Sequence, residues 1–219
     1  MRENSSIYTE KLKRLIDIIL VLAIVLLTLP ITLLISLFLK ILGHDVFFKQ
    51  KRIGINGKRF FLYKFTTMPI GSEKLGWYTP IGDPRPFKFG KLLRKAKLNE
   101  LPQLINVILG EMSLVGPRPL ASEQIEDIFN EDKIAYFYRS KPGITGMGSV
   151  YFHDEDTLLT GHSDTAKYYK HNILPKKMAL EEFYHENCSL LLDVKIILAT
   201  IAVILFKTPF FIDFDNIGK

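Results

Sequence analysis

The sequence predicts an α+β protein: an N-terminal membrane-inserted helix ahead of a small, mostly helical globular domain that carries a short β-hairpin. Three observations predict it. An uncharged apolar run lies near the N-terminus, two aromatic β-prone segments flank a glycine-bracketed turn just after it, and helix-start and helix-stop residues punctuate the remainder. The division falls between residues 1–42 and residues 43–219. Of 219 residues, 47% are hydrophobic and 12% aromatic, which excludes a disordered chain. The single cysteine, Cys188, excludes an internal disulfide and a zinc cage built on several thiolates. Lys plus Arg number 29 against 23 Asp plus Glu, a net charge of +6, which suits nucleic acid, anionic lipid or a phosphorylated substrate.

The apolar run, residues 18–39, reads IILVLAIVLLTLPITLLISLFL and contains no charge. As a helix it is about 33 Å long, enough to cross a hydrocarbon core of about 30 Å. A soluble core helix would carry a polar stripe. A cleavable signal peptide would have a shorter apolar stretch and a small-residue cleavage site. Lys11, Lys13 and Arg14 precede the run, and Lys40, Lys49, Lys51 and Arg52 follow it. Positive charge on both flanks marks both as cytoplasmic. Pro30 removes a helix donor near the middle, and Thr28 is placed to hydrogen-bond a freed carbonyl. A re-entrant hairpin and a kinked through-span both remain open at this point.

The globular part begins with residues 46–50 and 59–65, aromatic and β-prone, around Gly54-Ile55-Asn56-Gly57; they read as a hairpin. Residues 71–86, rich in Gly and Pro, read as a loop, and residues 87–95 as a short basic helix. Residues 99–110 read as a second helix, with Asn99 as N-cap, Pro102 in the first turn and Gly110 as C-cap. Residues 123–139 read as helix and Lys141-Pro142-Gly143-Ile144-Thr145-Gly146 as a turn. Residues 190–206 suit a helix lying on the membrane surface or a helix of the globular core. Residues 207–219 suit a strand or an interfacial tail.

Arg85, Lys91, Arg94, Lys95, Lys97 and Arg118 cluster around the second helix. A helix N-terminus between Arg94 and Arg118 suits a phosphate, and Glu100 in its first turn suits a divalent cation or proton acceptance. The same residues also suit a plain reading: a cap, a charge complementing the helix dipole, and a solvated basic face. No zinc finger, helix-turn-helix or RNA-binding motif accompanies the basic residues, so nucleic acid is not expected as a partner. Walker and dinucleotide fingerprints are missing too. His153, Asp154, Glu155, Asp156 and His162 match no metal-site spacing and read as a solvated loop or helix start.

At NELPQLINVILGEMSLVGPRP, residues 99–119, the chain resembles the bacterial sugar transferases, the monotopic polyprenyl-phosphate phosphoglycosyl transferases. The resemblance also takes in KRLIDIIL, the proline-broken apolar segment, VFFKQKRIGINGKRFFLYKF, GDPR at 82–85, FGKLLRK, KPGITG and SLLLDVKIIL, in family order over most of the chain. It implies a re-entrant membrane helix and surface helices on the cytoplasmic face of the bacterial inner membrane. The implied reaction moves a phospho-sugar from a nucleotide sugar, usually UDP-linked, to polyprenyl phosphate, releases UMP and uses Mg²⁺. Such a step initiates exopolysaccharide or lipopolysaccharide assembly, with downstream glycosyltransferases as further partners. The implied catalytic positions are Asn99 and Glu100, with Glu100 on the metal and Lys64, Arg85, Arg94 and Arg118 on the substrates.

In the family an Asp-Glu pair begins the LPQ helix, and the Asp attacks the donor's β-phosphate to form a covalent intermediate. Here the pair is Asn99-Glu100. A carboxamide is uncharged and a poor nucleophile at phosphorus. Three readings follow: a deliberate inactivation that leaves the fold intact, a natural variant that is inactive or lets the lipid phosphate attack directly, or attack by Glu100. The rival functional class is a non-catalytic relative that binds nucleotide sugar or polyprenyl phosphate, or scaffolds glycosyltransferases. A basic protein that merely binds anionic lipid explains the charge but not NELPQ or GPRP. After PGITG, residues 147–152 replace the Trp and QVNGR-like run of many relatives, and residues 168–186 resemble a subgroup; both departures bear on the donor sugar.

Overall fold

A computed structural model of the chain describes residues 11–72, 81–120, 137–162 and 164–214. Helix α1 (Lys13–Ile41) leads into strands β1 (Phe47–Ile53) and β2 (Arg59–Phe65), then helix α2 (Lys88–Lys95). A 3-10 turn at Leu98–Glu100 precedes helix α3 (Gln103–Leu109) and strand β3 (Ser113–Val115). Strand β4 (Gly143–Thr145) opens the second half, followed by short helices α4 (Met147–Tyr151), α5 (Glu155–Leu158) and α6 (Thr165–Tyr168). A π turn at Tyr169–Ile173 enters helix α7 (Leu174–Asn187), and helix α8 (Leu190–Phe206) follows. The observed class is α+β, helix-dominated with short strands.

Helix α1 runs through Pro30 as one element of 29 residues, long and apolar enough to cross a membrane. Leu26, Leu27, Leu33 and Leu34 stand exposed along it, while Val21, Ile35 and Leu39 are buried. Val21 joins the main core with Leu104, Val107, Met112 and Ile196. Ile35 and Leu39 join a second cluster with Phe65 and Leu93. The helix therefore packs along the globular part and does not stand apart from it. Thr28 does not take the role expected of it. Its Oγ1 donates to the Ile24 carbonyl at 2.7 Å, because a helical threonine hydroxyl reaches back three or four residues. The carbonyl that Pro30 leaves without a donor is that of Leu26, four residues before it.

The base of α1 is tied down by charge. Lys13 is paired with Asp193 of α8 and lies 4.0 Å from Asp17. Asp17 accepts from Ser113 Oγ at 2.6 Å, and Asp193 accepts from Tyr184 OH at 2.8 Å. All five of these residues are buried. Arg14 donates to the Val107 and Ile108 carbonyls at 2.5 and 2.9 Å, capping the end of α3.

The expected hairpin is present: β1 and β2 pair antiparallel, Gln50 opposite Leu62 and Phe48 opposite Lys64. Asn106 of α3 holds its edge, accepting from Tyr63 N at 3.1 Å and donating to Phe61 O at 2.7 Å. The predicted helix over 99–110 is shorter than expected. Asn99 lies in the 3-10 turn and caps nothing; Pro102 is the N-cap, and Gly110 ends the helix in the left-handed region at φ 83°. Lys97, at φ 57°, folds the chain into that tight turn before the helix can begin. The short basic helix starts at Lys88 with Phe87 before it.

The predicted turn at 141–146 contains a strand instead. Residues 143–145 pair in parallel with β3, and Gly143 N donates to Pro117 O at 2.9 Å. A Cβ on Gly143 would fall 2.2 Å from Gly116 N, so only glycine admits this approach. Helix α8 packs one face on the core, as the second reading expected, and leaves an apolar face exposed. Asp193, Ile196, Ala199 and Val203 face the core, whereas Leu191, Leu198, Ile201, Leu205 and Phe206 are exposed. The described tail, 207–214, carries no strand, and Phe214 packs on the Tyr151 ring with centroids 5.1 Å apart. Residues 123–136 of the predicted 123–139 helix, 73–80 of the predicted loop and 215–219 of the tail lie outside the described residues.

Removing Lys13 leaves two carboxylates facing one another in a buried place. Lys13→Met is expected to lower unfolding stability by about 3–5 kcal/mol, read by denaturant unfolding in detergent. Arg14→Met, which leaves no buried charge behind, should cost much less.

Candidate functional site

Three chain segments converge on one cavity. The hairpin presents Phe48, Gln50, Arg52 and Lys64 on its inner face, since period-2 alternation and the register put these side chains on one side. The turn after α2 presents Lys97, Asn99 and Glu100, and the segment after β3 presents Arg118. Arg118 is placed by its backbone. Tyr138 OH donates to the Arg118 carbonyl at 3.2 Å and accepts from Leu120 N at 2.7 Å, while Arg52 Nη1 donates to Pro119 O at 2.9 Å.

The centre is an ion pair. Arg118 Nη2 lies 2.6 Å from Glu100 Oε1 and Nη1 lies 3.4 Å from Oε2, a two-pronged contact. Lys64 Nζ is 3.6 Å from the same Oε1. Burial pushes the Glu100 carboxyl up, but the Arg118 and Lys64 charges outweigh it and hold the group well below the usual carboxylate range. The Glu100 charge raises Arg118 in turn. Burial brings Lys64 down to about 7 even though Glu100 opposes the shift, and brings Arg52 down to about 10.

The cavity holds about 270 Å³. Seven cationic side chains line it against three carboxylates. All six residues named from the sequence border it: Lys64, Arg85, Arg94, Asn99, Glu100 and Arg118. They are not equally available. Arg85 is engaged by Asp83, with Nη2 to Oδ2 at 2.5 Å, and donates to Ser72 O at 3.1 Å. Asn99 is 6% exposed, and its amide has no hydrogen-bond partner among the described residues. Helix α3 begins four residues after Asn99, so the dipole expected to begin at that residue begins beyond it.

Sequence reasoning placed Lys97 in the basic cluster but missed Arg52, Tyr169, Lys177, Glu155 and Asp156, which line the same cavity. Strand alternation could have found Arg52, two places from Gln50 on the Lys64 face. Glu155 and Asp156, read as part of a solvated loop, are brought to the cavity by tertiary packing: Lys177 of α7 pairs with Glu155 and lies 5.0 Å from the Tyr169 ring centroid. His153 Nδ1 instead contacts Val150 O at 3.1 Å, and His162 stacks on Tyr168.

A second cavity of about 370 Å³ adjoins the first. Its walls are largely apolar: Ile24 of α1, Leu101 and Leu104, Val150 and Phe152, and Val203 and Ile204 of α8. Both cavities include Lys97, Glu100, Arg118, Glu155, Asp156 and Lys177 among their linings, so they meet across the Glu100–Arg118 pair.

No group of three or more His, Cys, Asp or Glu among the described residues could hold a metal by itself. The donor set fits Mg²⁺ only as a shared ion. Glu100 Oε2, with its single long contact to Arg118, can supply one oxygen, and phosphate and water must supply the rest.

The family model described as bacterial sugar transferase matches residues 8–207 of this chain. An uncharacterized sugar transferase, EpsL, of Bacillus subtilis is 38% identical over 164 residues, 75% of this chain and 72% of that protein. The exopolysaccharide production protein ExoY of Rhizobium meliloti is 35% identical over 210 residues, covering 88% and 84%. The UDP-glucose:undecaprenyl-phosphate glucose-1-phosphate transferase of Escherichia coli is 34% identical over 195 residues. That match covers 87% of this chain but 39% of the longer protein.

The Lys64 shift gives a pH dependence. With its value near 7, the cation is present below that pH and is lost above it. Pyrophosphate affinity of the native chain should therefore fall as pH rises from 7 to 9, by up to about tenfold per unit, relative to Lys64→Arg. The ligand's own ionisation cancels in that comparison, read by calorimetry. Parallel profiles for the two forms would remove Lys64 from the anion site.

Proposed function

This chain belongs to the bacterial sugar transferase family, and we propose that it moves a sugar 1-phosphate from a UDP-sugar to a polyprenyl phosphate, releasing UMP. One observation carries the reading: a cationic cavity and an apolar cavity adjoin and share the Glu100–Arg118 and Glu155–Lys177 ion pairs. The first suits the diphosphate of a nucleotide sugar. The second suits an isoprenoid chain, and it is open to the membrane helix through Ile24. The named activity of the Escherichia coli relative joins these two substrate classes.

Within this reading each residue has a chemical task. Phosphoryl transfer is governed mainly by positioning and by stabilising charge on the phosphate oxygens. Arg118, 36% exposed at its side chain while held by Glu100, offers its remaining N–H groups to an incoming phosphate. Lys64 and Arg94 add charge from the other walls. Glu100 keeps Arg118 and Lys64 in place and offers one oxygen to a magnesium ion. Bound Mg²⁺ would neutralise charge on the donor diphosphate.

Placement follows from the flanking charges of α1. Basic residues on both sides of the apolar run keep both ends on the cytoplasmic side of the inner membrane, so the helix enters and returns. The product then starts a surface glycan, exopolysaccharide or lipopolysaccharide, that further glycosyltransferases extend. Asn99 favours a second reading: a non-catalytic relative that holds nucleotide sugar or polyprenyl phosphate for partner enzymes.

The decisive experiment is UMP release from a panel of UDP-sugars with polyprenyl phosphate and Mg²⁺. Release with at least one donor supports the transferase. Binding without release supports the non-catalytic reading. Arg118→Lys keeps the charge and loses the fork, so kcat/KM should drop by about tenfold or more. For topology, Cys188 is first replaced by Ser. Lys11→Cys and Asp45→Cys should then both escape a membrane-impermeant thiol reagent added outside cells. Labelling at position 11 would show a through-span.

A further inference from the structure

Helix α7 carries a buried carboxyl with no part in the chemistry above. Glu181 is 2% exposed. Its Oε1 accepts from Gly148 N at 3.1 Å, in the first turn of α4. Its Oε2 is buried and has no hydrogen-bond partner among the described residues. A buried polar atom left unpaired is costly, and folded proteins keep few of them. The backbone makes room for this one. A Cβ on Gly148 would fall 2.8 Å from Oε1, and one on Gly146 would fall 3.6 Å from it.

Lys177 lies one turn earlier on the same buried face of α7. The two side chains pass the same glycine: the Cβ placed on Gly148 would lie 3.4 Å from Lys177 Cγ. Yet the Lys177 ammonium turns away from Glu181. It pairs with Glu155, contacts Tyr169 OH at 3.4 Å and sits 5.6 Å from the Phe152 ring centroid. In that place it lines both cavities. An ionised Glu181, with a free oxygen beside the stem of a lysine, would draw the ammonium in. The arrangement is that of a neutral acid. Burial accounts for it, pushing the carboxyl up to about 7 against the Gly148 N–H and the Lys177 charge. The other groups around the pair are accounted for. Tyr138, ahead of β4, is within range of the Glu181 charge. Tyr184, three residues on, is committed to Val115 O and Asp193. Glu155 and Arg118 act on Lys177 from the cavity side.

We propose that Glu181 is a proton-dependent positioning residue that sets where Lys177 stands. Neutral, it leaves Lys177 on Glu155, in the wall common to the two cavities. Ionised, it takes Lys177 back along α7, so the wall loses an ammonium and uncovers the Glu155 carboxylate. An anion in the cationic cavity then meets one cation fewer and one free carboxylate more. A single proton is exchanged, between Glu181 and water, and no other bond is made or broken. Glu181 itself lines neither cavity. The device acts whether the chain transfers its substrates or only holds them. The grip on an anion is complete while Glu181 keeps its proton and weakens as pH rises through about 7.

The test is pyrophosphate affinity from about pH 6 to about pH 8.5, by calorimetry on the full chain in nanodiscs. Lys64 titrates in the same range, so every form carries Lys64→Arg, and the ligand's own ionisation cancels between forms. Across that range the Lys64→Arg parent should lose about tenfold more affinity than Lys64→Arg with Glu181→Gln, which has no proton to lose at residue 181. The two should match at the acid end, where both are neutral at that residue. An equal offset at every pH would make Glu181 purely structural and overturns the proposal, as do superimposed profiles. Should Glu181→Gln not fold, two variants of Lys177 in the same parent decide. Lys177→Met should start about tenfold weaker and converge with the parent as pH rises, and Lys177→Arg should run parallel to it. A methionine form that stays weaker throughout overturns the proposal. An arginine form that keeps its affinity while the parent falls shows that Lys177 loses its own proton, and overturns it too. Absence of pyrophosphate binding by the parent overturns it together with the anion site.

Discussion

The structure depends on a buried cluster of charge at the foot of the long apolar helix α1. Lys13 and Asp17 of α1, Asp193 of α8, Ser113 of β3 and Tyr184 of α7 meet where the long helix enters the globular part. An ionised group taken out of water is costly unless its partners are placed correctly. The cluster therefore penalises any sliding or rotation of α1 against three other elements. Hydrophobic contact alone would not do this, because the sides of α1 are nearly equivalent in polarity. Leu26, Leu27, Leu33 and Leu34 face outward along it, and Val21, Ile35 and Leu39 face inward.

That constraint reaches the candidate site through short links. Asp17 fixes the start of β3, and β3 pairs with β4 and runs into the turn that carries Arg118. Asn106 fixes α3 to the edge of β2, whose inner face carries Lys64. The Glu100–Arg118 pair joins these two routes. Its position is between a cationic cavity and an apolar one, in the lining of both.

The same pair explains why Glu100 and Asn99, adjacent in sequence, differ so much chemically. Glu100 has Arg118 and Lys64 on its oxygens. Asn99, one residue earlier in a 3-10 turn, borders the polar cavity with an amide that no described group engages. Adjacent residues in so tight a turn point in different directions, and only one of them can serve the ion pair.

By itself the sequence determined the apolar helix, the hairpin and the identity of the family, because hydropathy, strand alternation and ordered motifs are local properties of the chain. It also marked Lys64, Arg94, Glu100 and Arg118, which border one cavity. Tertiary structure decided what depends on contacts between distant segments. The turn at 141–146 became a strand because Gly143 can approach Gly116. Helix α8 turned one face to the core because Asp193 meets Lys13, 180 residues away. Glu155, with Asp156 beside it, came to the cavity because α7 brings Lys177 against Glu155. Charge and polarity are written residue by residue, but whether a charge is solvated, paired or aimed at a ligand is set by which other segment packs beside it.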